Sequence, residues 1–140
     1  MDKGLSLLAL ARKGGIAELG EEPVGGAARA GKAYVILVAK DASDHTWRRA
    51  KSFAAGTEQQ CIRLPWTKDE LGAAIGRDSL AIAAVTDVRM ALAVVASLPQ
   101  EEANKPALEV LTAKAQKARK RQQEAKAHQR NLRRGKKHVK

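Results

Sequence analysis

A single cysteine, Cys61, leaves this 140-residue chain without an internal disulfide or a cysteine-based zinc site. Aromatic residues make up only 3%, so a core must be built from Ala, Leu, Val and Ile, which a hydrophobic content of 44% allows. Cys61 reads as one more small hydrophobe of that core. No apolar run approaches the ~20 residues that a membrane span needs. Met1-Asp2-Lys3-Gly4 lacks the basic region and cleavage pattern of a secretory leader, and the expected location is the cytoplasm. Reactive groups are sparse too. Of His45, His128 and His138, two fall in the C-terminal region, so no histidine pair can organise a metal or a nucleophile in the core. Gly14-Gly15 and Gly25-Gly26 fit neither a phosphate loop nor a dinucleotide fingerprint. Glu18, Glu21 and Glu22 read as acids at a helix start, and Asp41 and Asp44 flank a turn and cap the helix after it. The expectation is a non-catalytic protein with no cofactor and no metal.

What the chain has in excess is positive charge, and all of it lies at one end. Residues 1–111 carry 14 basic and 14 acidic side chains, whereas residues 112–140 carry 12 basic ones and a single acid, Glu124. The cations are Lys114, Lys117, Arg119, Lys120, Arg121, Lys126, Arg130, Arg133, Arg134, Lys136, Lys137 and Lys140. A solvated surface helix would balance its charges through i,i+4 pairs, which one acid cannot do. Repulsion among so many cations is relieved by a polyanion through phosphate contact and counterion release. An anionic membrane would need an apolar face, for which the arm offers only Leu132 and Val139. Nucleic acid is the expected partner, with a merely solubilising tail as the plainer alternative.

Along the chain, helical periodicity over residues 4–13 stops at Gly14-Gly15, and Ile16 to Leu19 reads as a short strand. Glu21-Glu22-Pro23 opens a helix that ends at Gly31 and contains two costly glycines, Gly25 and Gly26. Ala33 to Ala39 and Leu80 to Val85 read as strands buried on both faces, and Cys61 to Leu64 as a shorter one. Helices follow from Asp44 to Ala55, from Lys68 to Ile75 behind a Thr67-Glu70 capping box, and after Thr86-Asp87. This alternation predicts an α/β fold, a three-layer α/β/α sandwich of about four strands over residues 1–98. Residues 99–140 read as a polar linker and a basic arm, helical or disordered. Leu108 and Leu111 are its last apolar pair at helical spacing, and the arm has nothing to bury.

Several segments in this order carry a family likeness. They are Leu7-Leu8-Ala9-Leu10-Ala11-Arg12-Lys13-Gly14-Gly15, Gly20-Glu21-Glu22, Arg29-Ala30-Gly31-Lys32-Ala33 and Ala39-Lys40-Asp41-Ala42-Ser43. With Glu70-Leu71-Gly72, Ile75-Gly76 and Ala84-Val85-Thr86-Asp87, they make residues 5–98 resemble the kink-turn RNA-binding ribosomal proteins, in particular the bacterial YlxQ-like branch. The resemblance implies a non-enzymatic protein that binds sharply bent RNA, ribosomal RNA or a ribosome-associated RNA; a monomer is expected.

It also implies where RNA would lie: on the start of the second helix and on the loop before the last strand. Where the family carries an Asn-Glu pair and, one turn later, a lysine, this chain has Glu22, Pro23 and Gly26. The core residues expected at RNA are Gly20, Glu21, Glu22, Gly25 and Gly26, the loop residues Arg77, Asp78 and Ser79, and the nearby cations Arg12, Lys13, Arg29 and Lys32. The arm cations would supply phosphate contacts. A different class of function is a protein-interaction module whose core face binds a ribosomal or RNA-processing protein while the arm tethers it to RNA.

Overall fold

The structure, a computed structural model, describes residues 2–138. Helix α1, Lys3–Lys13, starts where the Asp2 carboxylate accepts from the Gly4 N–H at 2.8 Å. It stops at Gly14-Gly15 and is followed by strand β1, Ala17–Leu19. The other elements are α2 (Glu21–Arg29), β2 (Val35–Val38), α3 (Asp44–Ala54), β3 (Gln60–Arg63), α4 (Lys68–Ile75), β4 (Ile82–Val85), α5 (Val88–Ala96) and α6 (Lys105–His138). A single 3-10 turn, Glu102–Asn104, precedes α6.

The strands form one open sheet in the order β1-β4-β2-β3, with β4 antiparallel to both neighbours and β2 parallel to β3. All four residues of β2 and of β4 are buried. Their alternation sends Val35, Leu37, Ala83 and Val85 to one core, with Leu5 and Leu8 of α1, Leu71 of α4 and Val94 of α5. Ile36, Val38, Ile82 and Ala84 go to the other, with Val24 of α2 and Ala50 of α3. Helices thus cover both faces, and the three-layer α/β/α expectation is borne out.

Three details differ from the sequence reading. The strands are shorter than their apolar runs, because Ala33, Ala39 and Leu80 are buried but lie beyond the paired register. Ser43, not Asp44, caps α3 by accepting from the Thr46 N–H at 3.2 Å, while Asp41 accepts from the Lys68 N–H at 2.8 Å and so fastens the start of α4. The third concerns the arm. It is a continuous helix, and its root is core: Ala107 and Leu111 are buried, Leu111 completely, against α5 and the sheet. A segment that read as having nothing to bury therefore anchors itself over two turns before leaving the domain.

Candidate nucleic-acid interface

Strand direction decides which loops meet. β1 ends, β4 begins and β2 and β3 end at one margin of the sheet, here the upper end. The Gly20 N–H donates to the Ile82 carbonyl at 3.0 Å, tying the start of α2 to the start of β4. The Ala39 N–H donates to the Ala81 carbonyl at 2.9 Å and brings in the loop after β2. The start of α2 and the 76–81 loop, far apart in sequence, are neighbours at this end.

Gly20 has φ +97°, a conformation that L side chains rarely adopt, so glycine is required for the sharp entry into α2. No side chain caps the helix. Pro23 brings no N–H, which leaves the Glu21 and Glu22 N–H groups as the open donors of the first turn, at the positive end of the helix. The two glycines of α2 play different parts. A Cβ on Gly25 would stand 3.0 Å from Phe53 Cζ, so Gly25 lets α3 pack close. A Cβ on Gly26 would meet open space.

The acids there are not all free. Glu21 pairs with Arg49 of α3, whose guanidinium also lies 5.5 Å from the centre of the Phe53 ring. Arg48 and Arg49, beside His45, form a shallow hollow on α3 that the sequence reading did not single out. Their signal in the sequence was only an Arg-Arg pair on an exposed helix face, and pairing to Glu21 depends on α2 and α3 running side by side.

The 76–81 loop is firmly held. The Arg77 N–H donates to the Gly72 carbonyl at 2.8 Å and the Leu80 N–H to the Lys68 carbonyl at 3.0 Å. Gly72 is where backbone meets backbone: a Cβ there would lie 2.7 Å from Ser79 Cα and 2.8 Å from the Arg77 oxygen. Arg77, Asp78 and Ser79 are left exposed.

The other expected core cations lie elsewhere. Arg12 and Lys13 end α1, just before Ile16, whose carbonyl accepts from the Thr86 N–H at 2.9 Å. Arg29 ends α2, and Lys32 lies just before Tyr34, whose N–H donates to the Val85 carbonyl at 3.0 Å. Val85 ends β4 and Thr86 follows it, so these four cations belong to the lower end of the sheet. The structure thus brings together Gly20, Glu21, Glu22, Arg77, Asp78 and Ser79 and separates them from Arg12, Lys13, Arg29 and Lys32.

The arm leaves from the lower end as well. The turn that leads into α6, through Ala103 and Asn104, lines a groove of about 570 Å³ together with Lys40, Leu64 and Pro65 of the upper end. Lys114 then pairs with Glu58 at 2.6 Å, just ahead of β3 at the lower end. The Lys114 ammonium, which donates a hydrogen bond to the Glu58 carboxyl and attracts its charge, holds that group below its usual range. Further on, Arg89 in the first turn of α5 donates to Gln122. Residues 119–133 are exposed, and Lys126, Gln129, Arg130 and Arg133 share one face. Arg134, Lys136 and Lys137 fall in the last turns of the helix, and Lys140 lies outside the described residues.

Cys61 is partly buried against the α2–α3 core, and burial pushes its thiol up to about 11. Among the described residues no group of His, Cys, Asp and Glu is placed to hold a metal ion, and no helix is long and apolar enough to cross a membrane.

An open four-stranded sheet between helical layers, ending in a long helix, defines the class of fold. Neither a protein-family model nor a curated relative matches the chain. Among solved structures it is similar to a Bacillus halodurans protein of unknown function, at 26% identity and TM-score 0.65, over 69% of this chain and 97% of that one. It is also similar to the Giardia lamblia 15.5kD RNA binding protein, at 14% identity and TM-score 0.54, over 78% of this chain and 82% of that one. At 14% identity the second likeness speaks to the fold.

Proposed function

We propose that the protein is a non-catalytic, cytoplasmic RNA-binding protein of the kink-turn type, close to its YlxQ-like branch. It would recognise bent RNA, ribosomal or ribosome-associated, with the upper end of its sheet and hold phosphates with its arm. The observation that carries this reading is the tie between Gly20 and Ile82, which sets the open donors of α2 beside the exposed 76–81 loop. A phosphate suits the uncapped first turn of a helix, and a carboxylate such as Glu22 can accept from a base amino group. The RNA binding named for the Giardia protein supports the same reading through the shared fold.

The acid-rich first turn is compatible with a phosphate because Arg49 offsets Glu21. The core would then supply shape and register at the bend, while the arm supplies most of the non-specific affinity through phosphate contacts, which carry no sequence information. Photo-crosslinking of the full chain to RNA from a cell extract, with the attachment points mapped on the protein, tests this. Crosslinks to residues 20–26 and 76–80 as well as to the arm are expected. Crosslinks confined to α6 would leave the upper end without an RNA role and reduce the protein to a basic tether.

A further inference from the structure

The two RNA-contacting parts of the proposed function face away from each other, and from this we infer that the protein bridges two RNA segments. The inference rests on that function and adds a second, separate RNA site. α6 begins at the upper end, directly after Asn104, which shares a groove with Leu64 and Pro65; it passes the lower end at the Lys114–Glu58 pair and touches Arg89 through Gln122. At 1.5 Å per residue, Gln122 lies about 26 Å along the helix from its start, and Arg133 about 42 Å. Every described residue from Arg119 to Arg133 is exposed, so nothing in the domain turns these charges back.

The stripe Lys126, Arg130 and Arg133 therefore projects beyond the end opposite Gly20 and the 76–81 loop. The lower end also carries the exposed Arg12, Lys13, Arg29 and Lys32, with Arg89 at the base of the arm. A kinked RNA seated on the upper end would be separated from this cationic pole by the height of the domain. The pole fits a second polyanion of the same chemistry, an RNA duplex gripped by its phosphates without reading sequence. Such a protein would hold a kinked element against a neighbouring helix of a large folded RNA, or join two molecules.

The test uses the full chain. A kinked duplex is immobilised, saturated with protein and washed, and a labelled straight duplex is added at moderate salt. Capture of about one straight duplex per bound protein is expected. Combining Lys126→Gln, Arg130→Gln and Arg133→Gln should lower capture, measured per protein molecule held on the kinked duplex, by about tenfold or more. If the straight duplex instead elutes the protein from the kinked one, the two RNAs share one site and the bridge is overturned while RNA binding stands. If the triple variant no longer distinguishes kinked from straight RNA, the upper-end reading falls and the bridge falls with it.

Discussion

The Arg49 guanidinium on α3 is paired with the Glu21 carboxylate in the first turn of α2. Four residues further along both helices, the Phe53 ring lies over the space that a side chain on Gly25 would fill. The two helices run side by side, and the contact does more than join them. It removes one negative charge from the surface where a phosphate would come, leaving Glu22 as the exposed acid of that turn.

Arg49→Gln should therefore weaken binding of a kinked RNA by about 0.5–1 kcal/mol, by freeing Glu21. Its effect on folding should be smaller than about 1 kcal/mol, since exposed ion pairs contribute little. Titration of the RNA and urea denaturation of the same variant check both halves.

Gly26 sits in a helix interior with open space around it. Gly26→Ala should raise stability by about 0.5–1 kcal/mol from helix propensity alone. Gly26→Lys should do similarly and also strengthen kinked-RNA binding by ~1–2 kcal/mol, one charge-assisted contact. Calorimetric melting and binding to kinked and straight duplexes separate the two effects.

Gly72→Ala should do the reverse. Its Cβ would meet the backbone of Ser79 and Arg77, which cannot rotate aside. A loss of about 1–3 kcal/mol is expected from overpacking. The 77–79 loop must shift, so selection of kinked over straight RNA should fall as well, measured below the variant's melting temperature.

The anchored root of α6 makes two truncations differ. A chain ending at Ala103 loses Ala107 and the fully buried Leu111, and a single buried leucine removed from a core costs about 2–5 kcal/mol. A chain ending at Thr112 keeps both. The shorter chain should melt well below the longer one, and equal melting would show that the root of α6 adds nothing to the core.

Cys61 gives a pH dependence. Burial raises its thiol from 9.0 to about 11, so the folded state keeps the proton longer than the unfolded chain does. The stability linked to this proton is fully present below about pH 9 and is lost as the pH rises towards about 11. Alkylation of the folded protein at neutral pH should be slow compared with the unfolded chain, because the thiolate is the reactive form.

Much of the fold was legible because its signals are local. Thr67 and Glu70 form both halves of their capping box, and α4 starts and stops where the sequence says. Val35 to Val38 are buried on both faces, as an unbroken apolar run implies. What was not legible depends on relations across the chain. Leu108 and Leu111 look isolated among charges until α5 lies alongside them. Lys32 and Arg77 look equivalent as cations near the expected RNA face. Only the antiparallel pairing of β4 with β2 puts them at opposite ends of the sheet. Arg49 could not be matched to Glu21 until α2 and α3 were known to run side by side.

The affinity of the full chain for a kinked RNA, divided by its affinity for a straight duplex of equal length and charge, tests the upper-end site most directly. The arm grips the phosphates of either RNA alike, so only the upper end can make the two affinities differ. A ratio of about ten or more, persisting as salt is raised while both affinities fall, is the expected result. A ratio near one at every salt concentration would contradict an RNA-reading face at Gly20 to Gly26 and the 76–81 loop.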